Sequence, residues 1–251
     1  MEGIYLVVGL GAALAAFVQG LAGFGFGLTA MSVWAWTLEP QLAAVLAVFG
    51  GLAGQVLAAC TVRRGLAFGL LWPFIAGGLA GVPLGTWLLP YLDAAWFKAI
   101  VGAILALWCP AMLLSANLPR ISADNRLADA AIGMAGGVMG GLGGFTGLLP
   151  TLWCTLRGMG KDAQRAIIQN FNLAMLAVAM SLYLARDMVT RPMLPLFALV
   201  LPAILLPALA GSRVYARISD AAFRRVVLAL LTASGAAMLA SGLATLLARG
   251  S

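Results

Sequence analysis

GLAGFGFGLT at residues 20–29 and GLGGFTGLLP at residues 141–150 are the two stretches that most constrain the structure of this chain. Each glycine-rich run lies inside a long apolar segment, and the second follows the first at a distance of 121 residues, measured from Gly23 to Gly144. Backbone that leaves a helix inside lipid exposes N–H and C=O groups with no water to bind them. We therefore expect both runs to line a cavity or to be buried in protein. Paired breaks in two halves of a membrane chain are typical of a transporter substrate site.

The composition is that of a membrane protein. Of the 251 residues, 63% are hydrophobic and 9% are charged, and the mean hydropathy is +1.03, whereas soluble domains carry about 25% charged residues. The sequence therefore predicts an all-α polytopic membrane protein, with the lipid bilayer as its surroundings. The net charge of +7 comes from Lys and Arg scattered through short loops, which excludes a nucleic-acid-binding protein.

A helix needs about 20 apolar residues to span a bilayer, and this spacing predicts about eight transmembrane segments. They are 3–36, 41–61, 66–89, 95–115, 127–156, 163–184, 193–212 and 222–247. The first and fifth are too long for one crossing, and we expect the glycine runs to break them. If each broken segment crosses once, the halves are parallel, and if it folds into a hairpin, they are inverted. Single crossings divide the Lys and Arg residues almost evenly between the faces, which leaves only a slight bias toward both termini outside.

The chain also repeats outside the glycine runs. Residues 85–98 resemble residues 211–224, which favours two duplicated halves. We predict a first transmembrane repeat at 1–116, a polar linker at 117–129 and a second repeat at 130–251. Glycines four residues apart, as in Gly77, Gly81 and Gly85, indicate close helix packing within the chain or, alternatively, a homodimer face.

The breaks are also the predicted site. Helix N-termini created at a break carry a partial positive charge and free N–H groups, which attract anions. We expect a small anionic substrate to bind between the two breaks. The residues that frame this site are Gly23, Gly25, Gly27, Gly143, Gly144, Thr146 and Gly147. The alternative is that the glycines merely kink the helices for close packing.

Polar side chains at membrane depth complete the candidate site. Arg165, Gln169 and Asn172 share one helix face, with Asn170 to the side, and their N–H donors suit an oxyanion. Arg165 could instead reach toward the lipid headgroups. In the first half, Gln19 and Gln55 are weaker candidates, since either could simply bond between helices.

Enzyme chemistry has little support in the sequence. Histidine is absent, and neither a catalytic triad nor a carboxylate pair for acid–base catalysis can be assembled. The three cysteines are isolated, without the spacing of a metal site or a disulfide. We predict no enzymatic activity, no catalytic residue, no metal and no cofactor.

Together these features resemble a known family, the TauE/SafE sulfite exporters, also called the four-toluene-sulfonate-uptake permeases. The resemblance rests on GLAGFGFGL at 20–28, GVPLGTWLL at 81–89 and GGVMGGLGGFTGLLPTLWCTLRGMGKDAQRA at 136–166, which occur in order. It implies a multi-pass protein of the bacterial inner membrane that exports sulfite or an organosulfonate such as sulfoacetate, as a secondary transporter. The residues alone support a carrier of a small anion. A passive anion channel and a carrier of a non-sulfur organic acid are the alternatives.

Overall fold

The computed structural model describes residues 2–61, 68–114, 125–215 and 220–250 of the chain. Within these ranges the chain is helical, with no strand, which confirms the predicted all-α class. The helices are α1 (Glu2–Ala22), α2 (Phe26–Trp34), α3 (Pro40–Thr61), α4 (Phe68–Leu88), α5 (Ala94–Leu114), α6 (Arg126–Gly143), α7 (Leu148–Leu156), α8 (Lys161–Ala185), α9 (Leu194–Tyr215) and α10 (Asp220–Gly250). Two short 3-10 turns, Leu89–Tyr91 and Arg191–Met193, lie between them.

Seven segments of the described chain are long and apolar enough to cross a membrane. They are Gly3–Ala22, Pro40–Cys60, Phe68–Tyr91, Ala94–Leu114, Ala163–Ala185, Arg191–Arg213 and Leu231–Arg249. Large apolar side chains such as Leu107 and Leu206 lie exposed on the outside of the bundle, as a lipid-facing surface requires. The predicted polytopic membrane class is confirmed, while α6, short and rich in glycine, is not among the seven.

Both glycine runs interrupt the helices where the sequence predicts. Between α1 and α2, Gly23 and Gly25 have φ values of 78° and 95°. Between α6 and α7, Gly144 has φ 75° and ends α6 with a bond from its N–H to the carbonyl of Gly140. A side chain at these left-handed positions would be strained, so glycine is what permits the breaks.

Each break reverses the chain, so α2 and α7 fold back along the helices that precede them. Near the end of α2, Trp34 Nε1 donates to the carbonyl of Val7 in α1 at 3.2 Å. Near the end of α7, Trp153 Nε1 donates to Asp129 Oδ1, close to the start of α6, at 2.7 Å. We call α1–α2 the first hairpin and α6–α7 the second hairpin. The hairpin arrangement, one of the two that the sequence leaves open, is therefore the observed one.

Helices α3 and α8 run antiparallel to each other through the centre of the bundle. At one end Gln41 Nε2 donates to the carbonyl of Met188, just after α8, at 3.0 Å. Further along α3, Gly51 lies against Leu176 in the middle of α8. Around this pair α1 packs on α9, α4 on α6, and α5 on α10. Helices α1, α3, α4 and α5 of the first half thus have their main partners in the second half, while α2 packs chiefly on α1 and α3.

Glycine stripes hold α4 against α6. A methyl group added at Gly77, Gly81 or Gly85 would overlap the carbonyl oxygens of Ala130, Met134 and Val138, respectively. The glycines at 133, 137 and 141 meet the α4 backbone in the same way. These spacings therefore serve packing within the chain. The possible homodimer stays a prediction.

The boundary between the halves differs from the predicted linker. Helix α6 begins at Arg126, because Asn125 Oδ1 accepts bonds from the backbone N–H groups of Leu127 and Ala128. The last four residues of the predicted linker are therefore helical, and Asp129 among them is buried. Residues 117–124, most of that linker, lie outside the described residues. The division into two repeats stays a prediction.

We expect Gly81→Ala to destabilise the bundle by about 1–3 kcal/mol, because the new methyl group forces α4 away from the Met134 carbonyl. The matched control is Gly69→Ala in the same helix. Among the described residues, no atom outside the helix's own nearby backbone lies within 4 Å of the position its methyl group would take. Thermal unfolding of the detergent-purified variants measures the difference. Equal melting temperatures for the two variants would contradict the packing described for α4 and α6.

Candidate functional site

Two small cavities lie side by side around the glycine breaks. The inner cavity, of about 10 Å³, lies between the breaks, and the outer cavity, of about 40 Å³, lies next to it. Gln19 and Gln55 line both cavities and so form the wall that they share. Gly51 and Asn172, in the middle of α3 and α8, line the inner one. Since α3 and α8 have the length of membrane-spanning helices, the inner cavity lies near the middle of the span.

The two breaks meet at the inner cavity. A methyl group added at Gly27 would lie 2.7 Å from the carbonyl oxygen of Gly144 and 3.0 Å from that of Gly143. The first residues of α2 and of α7 both line this cavity. The residues that precede these helices, Gly25 and Gly147, provide no side-chain cap. Two uncapped helix N-termini therefore face the same small space, which is an arrangement that attracts negative charge.

Two glutamines fasten the first break to α3. Gln19 Nε2 donates to the carbonyl of Gly51 at 3.0 Å, and Gln55 Nε2 donates to the carbonyl of Gly23 at 3.0 Å. Both side chains are buried, at 5% and 1% exposure. The bonds cross between α1 and α3 in opposite directions, so they fix the break and both amides at once. The sequence predicts Gln19 and Gln55 as site residues only from their polarity within apolar segments, and it does not reveal these partners.

The second half contributes Thr146, Gln169 and Asn172. Thr146 Oγ1 donates to Asn172 Oδ1 at 2.8 Å, which ties the second break to α8. Gln169 is 2% exposed, and its Nε2 lies close to Gly23, where an added methyl group would be 3.1 Å away. Helix α8 thus reaches both breaks, with Asn172 at the inner cavity and Gln169 at the outer one.

Arg165 is half-buried and lines the outer cavity. The other residues on that side are Leu57 and Ala58 near the end of α3, and Ser212 near the end of α9. Since α8 begins where α3 and α9 end, the outer cavity lies toward one face of the bundle. The guanidinium of Arg165 therefore lies at the outer cavity, between that face of the bundle and the breaks.

Asn170 is the one predicted site residue that lies apart from the others. It lines neither cavity, and its Nδ2 donates to the carbonyl of Ala166, one turn back on its own helix, at 2.8 Å. The remaining twelve predicted site residues line the two cavities or, for Gly143, contact the opposite break.

One buried polar cluster is missed by sequence analysis. Asp129 is 2% exposed, and its carboxylate accepts bonds from Arg157 at 2.9 and 3.0 Å and from Trp153. The cluster ties the end of α7 to the start of α6, away from both cavities. Within the described ranges, no three Cys, Asp or Glu side chains come together as a metal site would need.

The architecture is that of a polytopic helical membrane protein whose two re-entrant hairpins meet around a small cavity lined by apolar side chains and a few polar ones. The family description "Sulfite exporter TauE/SafE" matches residues 8–238. The chain therefore belongs to the TauE/SafE family of membrane transporters, as its motifs predict. No curated protein and no solved structure matches the chain.

We expect Gln169→Leu to weaken anion binding at least about fivefold, because it removes a buried amide donor beside Gly23. Asn170→Leu is the matched control on the same helix turn, and it should bind anions as the unchanged protein does. Isothermal titration of detergent-purified protein with sulfite measures both affinities. A larger loss for Asn170→Leu than for Gln169→Leu would overturn the placement of the site.

Proposed function

We propose that this protein is a secondary carrier that exports a small sulfur-containing anion, sulfite or an organosulfonate, through the inner cavity. The observation that carries the proposal is the meeting of two uncapped helix N-termini at membrane depth, between Gly27 and Gly144. Family membership supports a sulfur anion, and the hairpin geometry supports an anion site. Helix N-termini bind oxyanions through backbone N–H groups, without a full positive charge that would hold the anion too tightly to release.

The distribution of basic residues supports an orientation. With hairpins at both breaks, 11 of the 15 Lys and Arg residues follow the sequence onto the face where α3 and α9 end, against four on the other face. The eleven are Arg126, Arg157, Lys161, Arg165, Arg213, Arg224 and Arg225 and, by their place in the sequence alone, Arg63, Arg64, Arg120 and Arg217, which lie outside the described residues. The four are Lys98, Arg186, Arg191 and Arg249. The positive-inside rule makes the first face cytoplasmic.

This orientation fits export. The outer cavity lies toward the cytoplasmic face, where Arg165 would draw anions from the cytosol toward the breaks. Both termini would lie on the opposite side of the bacterial inner membrane. The near-even division of charges expected for single crossings becomes a clear asymmetry, because each hairpin returns the chain to its starting face.

The sizes of the cavities support transport by alternating access. A space of about 10 Å³ holds roughly one water molecule, so an oxyanion enters only when the walls separate. Toward the opposite face the path is closed, since residues 43–48 of α3 are all buried and Gln41 bonds to Met188. We propose that the two inverted halves, 1–116 and 130–251, move against each other along the antiparallel pair α3 and α8.

Counterflow in proteoliposomes tests the proposal. Vesicles loaded with unlabelled sulfite should accumulate labelled sulfite against its gradient, which a passive channel cannot do. Competition by sulfoacetate, and none by acetate or chloride, would establish the sulfur anion as the substrate class. Competition by acetate equal to that by sulfoacetate would favour a general organic-acid carrier. Conductance without counterflow would show a channel and overturn the proposal.

A matched pair of variants ties that activity to the breaks. Gly27→Ala places a methyl group against the Gly144 and Gly143 carbonyls, and we expect it to lower counterflow at least about tenfold. Gly69→Ala, whose methyl position meets no other helix in the described part of the chain, should transport as the unchanged protein does. Full counterflow by folded Gly27→Ala protein would contradict the inner cavity as the transport site.

A further inference from the structure

Gln19 carries a buried hydrogen-bond acceptor with no donor. Its Oε1 is sealed from solvent, and no donor among the described residues reaches it. Exchanging the amide oxygen and nitrogen of Gln19 does not resolve this, because Nε2 donates to the Gly51 carbonyl. An oxygen in its place would face the carbonyl oxygen. Buried side-chain acceptors are nearly always bonded in folded proteins, so an unpaired one beside a cavity points to a role in binding.

Neighbouring groups restrict the position of this oxygen. Oε1 lies so close to Gly54 that a methyl group added there would overlap it. Gln19 also belongs to the wall between the two cavities, through which any substrate must pass to reach the breaks. Among the described residues, the hydroxyl oxygens of Thr29 and Thr151 are likewise without partners, but neither residue lines the inner or the outer cavity.

The rest of the site offers mainly donors. Gln169 Nε2 lies beside Gly23, Arg165 lines the outer cavity, and the N-termini of α2 and α7 face the inner one. Donors suit the oxygens of an oxyanion. An acceptor placed among them suits a substrate that carries a hydrogen atom of its own on nitrogen or oxygen, in addition to its negative charge.

We infer that Gln19 is a specificity residue whose Oε1 accepts a hydrogen bond from the transported anion. The substrate class is then a sulfur oxyanion with one N–H or O–H donor, such as hydrogensulfite or an amino-substituted sulfonate. Sulfonates without a donor would leave Oε1 unpaired when the wall opens, and they would bind more weakly. The inference rests on the proposed function, since it concerns the substrate of the same site.

Sulfamate and methanesulfonate provide the test, because they have the same size and charge and differ by an N–H donor. Titration of the detergent-purified full chain should show sulfamate binding about three- to tenfold more tightly than methanesulfonate. In Gln19→Met, which keeps the length of the side chain and removes the acceptor, the ratio of the two affinities should fall to about one. The ratio is taken within each variant, so partial misfolding does not affect it.

Two further variants complete the design. Gly54→Ala should also lower the ratio, because its methyl group displaces Oε1. Gln164→Met should keep it, since Gln164 likewise bridges two helices through Thr155 and Thr151 but lines neither cavity.

The possible failures are distinct from one another. If the unchanged protein binds neither anion, and no sulfite either, the proposed function itself fails. If it binds both equally, or if Gln19→Met keeps the preference, only the role of Gln19 is overturned. If anion binding requires sodium ions, is lost when choline replaces them, and shows no preference between the two anions, Oε1 would be assigned to a cation. That result would also overturn the inference.

Discussion

The structure depends on one constraint: backbone groups that leave a helix at membrane depth need partners inside the protein. Side chains from other helices provide them here. Gln55 donates to the Gly23 carbonyl at the first break. At the second hairpin, Tyr183 donates to the Gly141 carbonyl at 2.8 Å, and Trp108 donates to the Leu148 carbonyl at 2.9 Å. All three donors belong to helices outside the hairpin that they bond.

The need for hydrogen-bond partners at the breaks determines where the candidate site lies. The hairpins can break only where the surrounding helices supply polar groups, and those groups then lie beside the uncapped ends of α2 and α7. Gln19, Gln55 and Asn172 hold the breaks in position and line the cavities at the same time. The stability of the breaks and the chemistry of the site are therefore carried by the same side chains, so variants at these positions need separate measurements of folding and of binding.

The sequence predicts the breaks well, because a segment too long for one crossing must be interrupted and a glycine run is where its helix is weakest. The sequence does not predict whether the chain continues or turns back after each break, because a kink and a hairpin have the same composition. Long-range bonds decide the direction, above all that from Trp34 to Val7. Asp129 is missed because its partner Arg157 is 28 residues away, so the sequence assigns it to a polar linker. Asn170 is selected for its polarity, but it bonds to its own helix.

The proposed transport requires that an oxyanion binds where the two breaks meet. A crystal structure of the protein with selenite, a heavier analogue of sulfite, tests it most directly, because the anomalous signal of selenium locates the ion without ambiguity. We predict one peak between Gly27 and Gly147, within hydrogen-bond distance of the first N–H groups of α2 and α7. A peak found only at surface arginines, in crystals soaked at concentrations that saturate transport, would contradict it.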